Sequence, residues 1–119
     1  MTALKDARAS LAAKIVTAVS DTSVTVLDFD PPTIAGDTVT VSTAGVTATD
    51  WRLFVRIYVD SIQSSEGQDR LDDLVEACES VGEGLGSMVP RSDWEFAYDE
   101  SKGCFLMLTT VDYPREDFA

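Results

Sequence analysis

Asp28 and Asp30, an Asp-x-Asp pair closing a short apolar stretch, are the residues of this chain closest to a reactive centre, because two carboxylates at that spacing can share a divalent cation. No third ligand stands nearby. Pro31 follows directly, and in a chain with 21 Asp and Glu, turn formation is enough to explain the pair. The 119 residues include no histidine, which removes imidazole as a general base, as the partner of a thiol and as a metal ligand. Gly82, Gly84 and Gly86 alternate, but they follow a helical pattern instead of opening one and lack the Lys and Ser/Thr of a phosphate loop. Cys78 and Cys104 have no ligand-like spacing and read as free, partly buried thiols of a cytosolic protein. The expectation is a protein that is not an enzyme, with no catalytic residue, no cofactor and no metal.

Composition narrows the alternatives. Nine Lys and Arg against 21 acidic residues give a formal net charge of -12. Such a field repels phosphate backbones and argues against direct binding to nucleic acid or an anionic membrane. No apolar run approaches the roughly 20 residues that span a bilayer. Asp6, Arg8 and Lys14 interrupt the opening MTALKDARASLAAKI, so it reads as an amphipathic helix and not as a cleaved leader. The length suits one domain, residues 1–119, able to bury a single core without staples.

The elements that would position any site organise around residues 50–81. Trp51, Leu53, Val55, Ile57 and Val59 alternate along one long strand and form a row that must lie under helices. After a polar corner at 61–64, Ser65 to Gln68 fits a capping box, with Glu66 and Asp69 in the first turn. Leu71, Leu74, Val75, Cys78 and Val81 give the helix that follows an apolar stripe. Its other side carries Asp69, Asp72, Asp73, Glu76 and Glu79 without lysines one turn away, so this row faces solvent, a lumen or a basic partner.

Upstream, Leu4, Ala7, Leu11, Ile15 and Val19 mark a first helix capped by Thr2, and Val24 to Leu27 read as a short strand. Residues 28–37, DFDPPTIAGD, form a loop. It either folds back as a lid or offers Phe29, Pro31, Pro32 and Ile34 to a partner. Thr38 to Thr49 is a Thr-rich hairpin or one bent strand, expected to add little to the core. Downstream, Gly82 to Gly86 end the helix and link it to Val89 and Pro90. Trp94, Phe96 and Tyr98 form an aromatic row, 99–103 a hairpin loop turning at Gly103, and Cys104 to Tyr113 a returning apolar strand. The order α-β-β(-β)-α-β-β predicts an α+β fold, with two helices on a mainly antiparallel sheet of four to five strands.

The second face of the long strand carries Arg52, Phe54, Arg56, Tyr58 and Asp60. Two arginines alternating with two aromatics is the composition of protein interfaces, although the aromatics could instead pair with aromatics of the next strand.

The opening Leu/Ala-rich helix, the loop FDPPTIAGDTVTV before a strand, and DWRLFVRIYV running through a polar corner into SSEGQDRLDDLVEA together resemble the tail-terminator (tail-completion) proteins of long-tailed bacteriophages. The likeness covers about residues 3–113, and Gly36 and Asp37 stand where a proline would lead into the second strand. It implies a structural virion protein, assembled in the host cytoplasm. Such a protein forms a hexameric homo-oligomeric ring on the tail tube, stops its polymerisation and presents a surface to the head connector at the neck. Its partners would be the tail-tube and connector proteins, with DNA passing unbound and no membrane contact. Candidate subunit or tube contacts are Arg52, Phe54, Arg56, Tyr58, Phe29, Pro31, Pro32, Ile34 and Phe118. The acidic row of the second helix would face solvent or lumen. The alternatives are another neck protein, connector or stopper, and an acidic inhibitor that mimics DNA.

Overall fold

Stripes of period 3.6 and alternations of period two build two layers, helices on one side and a sheet on the other. The computed structural model describes residues 4–19, 23–59, 64–85, 89–90 and 94–114. Thr2, Asp60, residues 61–63, Gly86 and Phe118 lie outside them. The elements are α1 (Leu4–Val19), β1 (Thr25–Leu27), β2 (Thr38–Val46), β3 (Asp50–Tyr58), α2 (Ser65–Leu85), β4 (Val89–Pro90), β5 (Glu95–Asp99) and β6 (Cys104–Pro114). The sheet runs β1-β2-β3-β6, with β4 and then β5 along the outer side of β6. All pairs are antiparallel except β1 with β2. The α+β class and the two helices agree with the sequence reading. The two-residue β4 is an addition, and it falls in a stretch read as a link.

Helical packing explains the core. Leu11, Ala12 and Ile15 of α1 and Leu71, Leu74, Cys78 and Val81 of α2 close over Val39, Val41, Leu53, Val55 and Ile57. Val39, Val41, Leu53 and Ile57 are fully excluded from water, and burial of each is worth about 1.5–3 kcal/mol. Ala7 and Ala12 on the buried side of α1 let that helix approach closely. The expectation for Thr38 to Thr49 is corrected here. Of its two readings the bent strand is the one that forms, over Thr38–Val46 between β1 and β3, bent where Thr43 pairs with Leu53 and Gly45 with Arg52 and leaving Ala44 as the extra residue of a bulge. Its small share of the core is what is overturned, since Val39 and Val41 are fully buried. Its threonines mask its role in the sequence, since Thr38 and Thr40 are themselves buried.

Two ends of α2 also differ from expectation. Ser64, one residue earlier than proposed, is the cap: its Oγ accepts the Gly67 amide at 2.9 Å. At the other end the helix continues through Gly82 and Gly84 to Leu85. Glycine costs a helix only about 1 kcal/mol per residue, and packing of the stripe through Val81 carries the last turn. The hairpin at 99–103 forms as read: the Gly103 amide bonds the Asp99 carbonyl at 2.8 Å with Gly103 at φ +67°. That left-handed conformation is one a side chain resists.

A candidate interaction face on the sheet

Because strand side chains alternate, the far side of the sheet, away from the helices, is fixed by register. Tyr58 sits between Thr38 and Leu106, Arg56 between Thr40 and Leu108, Phe54 between Ser42 and Thr110, and Arg52 between Gly45 and Asp112. Neither Phe54 nor Tyr58 faces an aromatic on an adjoining strand, so the aromatic ladder considered for these two does not form. Phe54 instead lies between two hydroxyl-bearing side chains and beneath a cation, and Tyr58 lies between a threonine and a leucine. The Arg56 guanidinium lies 4.5 Å from the Phe54 ring centroid and donates from Nη1 to Ser42 Oγ at 2.7 Å. Such a cation over a ring contributes about 0.5–1 kcal/mol where exposed. Arg52 Nε stands 3.6 Å from the Asp112 carboxylate.

The face has a closed end and an open end. β1 and β2 are parallel neighbours, so the chain between them must cross the sheet to start again in the same direction. Residues 28–37 make that crossing as a strap. Arg8 Nη1 donates to the Asp28 carbonyl at 3.3 Å, Lys102 Nζ contacts Asp30 at 3.2 Å, and Arg70 Nε contacts Asp37 at 2.8 Å. Three of the nine cations in the chain thus hold one ten-residue loop, which decides that the loop is tied down instead of hanging free. Where it runs, Thr38, Thr40, Tyr58 and Leu106 are buried. At the open end Arg52, Phe54 and Arg56 remain half-exposed.

Lys102 is the clamp of the closed end. Its Nζ lies 3.2 Å from both Asp30 and Asp99, with the side chain 5% exposed. Burial works against the charge on Lys102, but its bonds to the two carboxylates outweigh that and raise its pKa. Asp99 accepts from Ser101 Oγ at 2.6 Å, and this bond, with Lys102 beside it, holds its carboxyl down to about 2. Burial and the neighbouring Asp30 push the Tyr58 phenol well above its ordinary value, against the opposing pull of Arg56. The Tyr58 hydroxyl has no hydrogen-bond partner among the described residues.

The sequence-derived contact residues therefore separate. Arg52, Phe54 and Arg56 share one accessible surface, and Phe29 (49% exposed) and Pro32 stay outside on the strap. Tyr58 and Pro31 are corrected to interior positions, and Ile34 is half-buried. Both readings of the loop hold in part: it closes over the sheet and still displays Phe29. Of the Asp28/Asp30 pair, the Asp28 backbone carbonyl accepts from Arg8 and the Asp30 carboxylate is held by Lys102. No group of three potential metal ligands gathers among the described residues.

On the opposite side of the two layers, Asp69, Asp72, Asp73, Glu76 and Glu79 all point outward from α2. Burial raises the Cys78 thiol to about 12, with Glu79 adding to it, so the buried side of that helix carries no reactive thiolate. A groove of about 480 Å³ lies between the helices, lined by Ala13, Lys14, Thr17, Ala18 and Val81 among others. A smaller cavity of about 140 Å³ contains the Arg70–Asp37 pair. Among the described residues no helix is long and apolar enough to cross a membrane.

Sequence reasoning overlooked one exposed group. Phe96 (55% exposed) and Tyr98 (51%) flank Phe105, with ring centroids 5.3 and 4.8 Å away. The alternation Trp94, Phe96, Tyr98 marks the row in the sequence, but period two does not say which side a neighbouring layer covers. No known protein family matches the chain, and no curated protein matches it.

Proposed function

We propose that this chain is a structural protein of a bacteriophage tail, one that assembles as a ring on the end of the tail tube, halts its polymerisation and offers the head connector a docking surface. The observation that carries the reading is the pairing of two unlike surfaces on opposite sides of one two-layer unit. The far side of β3 presents Arg52, Phe54 and Arg56, and the outer side of α2 presents five carboxylates. Rings close through heterologous contacts, in which one surface of a subunit meets a different surface of the next or of the tube, and a unit with two chemically distinct sides is suited to that. A lumen lined by the acidic side would let DNA slide without sticking, by the same repulsion that opposes binding.

The test is a double charge reversal, Arg52→Glu with Arg56→Glu. Both side chains are half-exposed and their pairs are worth under about 1 kcal/mol each, so the monomer keeps its fold. The expected result is an unchanged circular dichroism spectrum with loss of assembly on the tube. Intact assembly of the double variant would remove this face from the interface.

A further inference from the structure

Sheet edges expose hydrogen-bonding groups that recruit foreign strands, and folded proteins blunt them with short strands, prolines, bulges or lysines. This sheet does so at two places. β1, at one margin, has only three residues, and β4, at the other, contains Pro90, which has no amide to give. β5 lies farther along that second margin and is not blunted. It has five residues, EFAYD, with no lysine, proline or glycine, and pairs only with β6 among the described residues. Beside its outer edge stand the two most exposed aromatics of the described residues, Phe96 and Tyr98. Phe105 packs against both rings, stacked on Phe96 at 21° and edge-on to Tyr98 at 65°, which holds them in place beside the edge.

The charges on β5 decide what kind of strand fits. Antiparallel pairing of β5 with a second copy about Ala97 would set Glu95 opposite Asp99, whose charge Lys102 partly offsets, and parallel pairing in register would set Glu95 against Glu95, with no such offset from Lys102. Like charges placed directly opposite are destabilising, so the edge rejects its own copy and prefers a strand with cations at alternate positions. On the other side of the pleat the same strand would lay apolar side chains on Phe96 and Tyr98. We propose that the outer edge of β5 is a docking edge for an extended segment of another polypeptide in which apolar residues alternate with lysine or arginine. Main-chain bonds would supply the attachment and the alternation the register, as in other strand additions. The inference stands independently of the ring reading.

Three synthetic peptides test it on the intact chain: alternating Lys-Val, alternating Glu-Val, and a Lys/Val peptide of the same composition with lysines and valines in separate blocks. Amide hydrogen exchange of residues 95–99 is the readout. The alternating Lys-Val peptide is expected to slow exchange there by about tenfold or more at saturation, with the other two leaving it unchanged. Phe96→Ser with Tyr98→Ser should abolish the protection. Glu95→Lys, also at an exposed site, should shift preference from the Lys-Val toward the Glu-Val peptide. Equal binding by the alternating and blocked lysine peptides would mean attraction to the net charge alone and would overturn the proposal. So would protection elsewhere without protection of β5, or an unchanged preference in Glu95→Lys.

Discussion

Replacing Lys102 by methionine removes the charge that clamps the strap and keeps most of the buried stem. Two contacts are lost, each 3.2 Å long. A hydrogen bond to a charged group contributes about 1.5–3 kcal/mol when sheltered and under about 1 kcal/mol when exposed. The Asp30 side chain is 38% exposed and Asp99 is 21% exposed, so the first contact belongs near 1 kcal/mol and the second near 1.5 kcal/mol. Lys102→Met should therefore cost about 2–2.5 kcal/mol, seen as a fall in the urea midpoint of about 1–2 M for a chain of this size. A double-mutant cycle with Asp30→Asn isolates the strap contact, and its coupling should be about 1 kcal/mol. Hydrogen exchange of the strap amides should quicken in the variant, because the chain at 28–37 then keeps the charged anchors Arg8 and Arg70 and has lost Lys102. A midpoint within error of the parent, or a coupling of zero, would refute the clamp.

Other outcomes follow from the same geometry. Asp99 has a folded pKa of about 2 against an ordinary 3.8, and a carboxyl with a depressed folded value stabilises above its unfolded pKa and loses that contribution as pH falls through the folded one. The stability difference between the parent and Asp99→Asn should thus be full at pH 5 and shrink from about pH 4 to about pH 2, followed by urea unfolding; a pH-independent difference would contradict it. Tyr58→Phe removes a buried hydroxyl with no partner among the described residues, so the variant should be as stable as the parent or up to about 1 kcal/mol more stable. A loss above that would show a bond to the hydroxyl. In an alkaline absorbance titration, one of the three tyrosines should stay protonated well beyond its ordinary 10.0 until the chain unfolds. With its thiol raised to about 12, Cys78 should resist alkylation in the folded protein at pH 8, and labelling followed by peptide mass mapping should find Cys104 modified first.

The parts legible in the sequence are those with strong local periodicity. The β3 row and the α2 stripe repeat over enough residues that one period fits and the other fails, and both form as read. β2 was undervalued because threonine alternating with valine looks like a solvated strand, whereas Thr38 and Thr40 are covered from the far side. What covers that side is non-local: Asp30 and Lys102 are separated by 72 positions, and nothing in either neighbourhood announces the contact. The same distance hid the burial of Tyr58 and Pro31. The parallel pairing of β1 with β2 was illegible because three residues carry no record of strand direction. Gly82 and Gly84 misled because tertiary packing overrides a helix propensity of about 1 kcal/mol per residue. On β5, composition revealed the aromatic row but not that the margin beside it pairs with no other strand among the described residues.

Native mass spectrometry of the purified chain, alone and mixed with polymerising tail-tube protein, coupled to electron micrographs of tube length, decides whether the chain forms a ring that caps the tube. A closed ring of identical subunits seated on tubes that stop growing is expected, with Arg52→Glu/Arg56→Glu unable to do either. A chain that stays monomeric in both conditions and leaves tube length unchanged would contradict it.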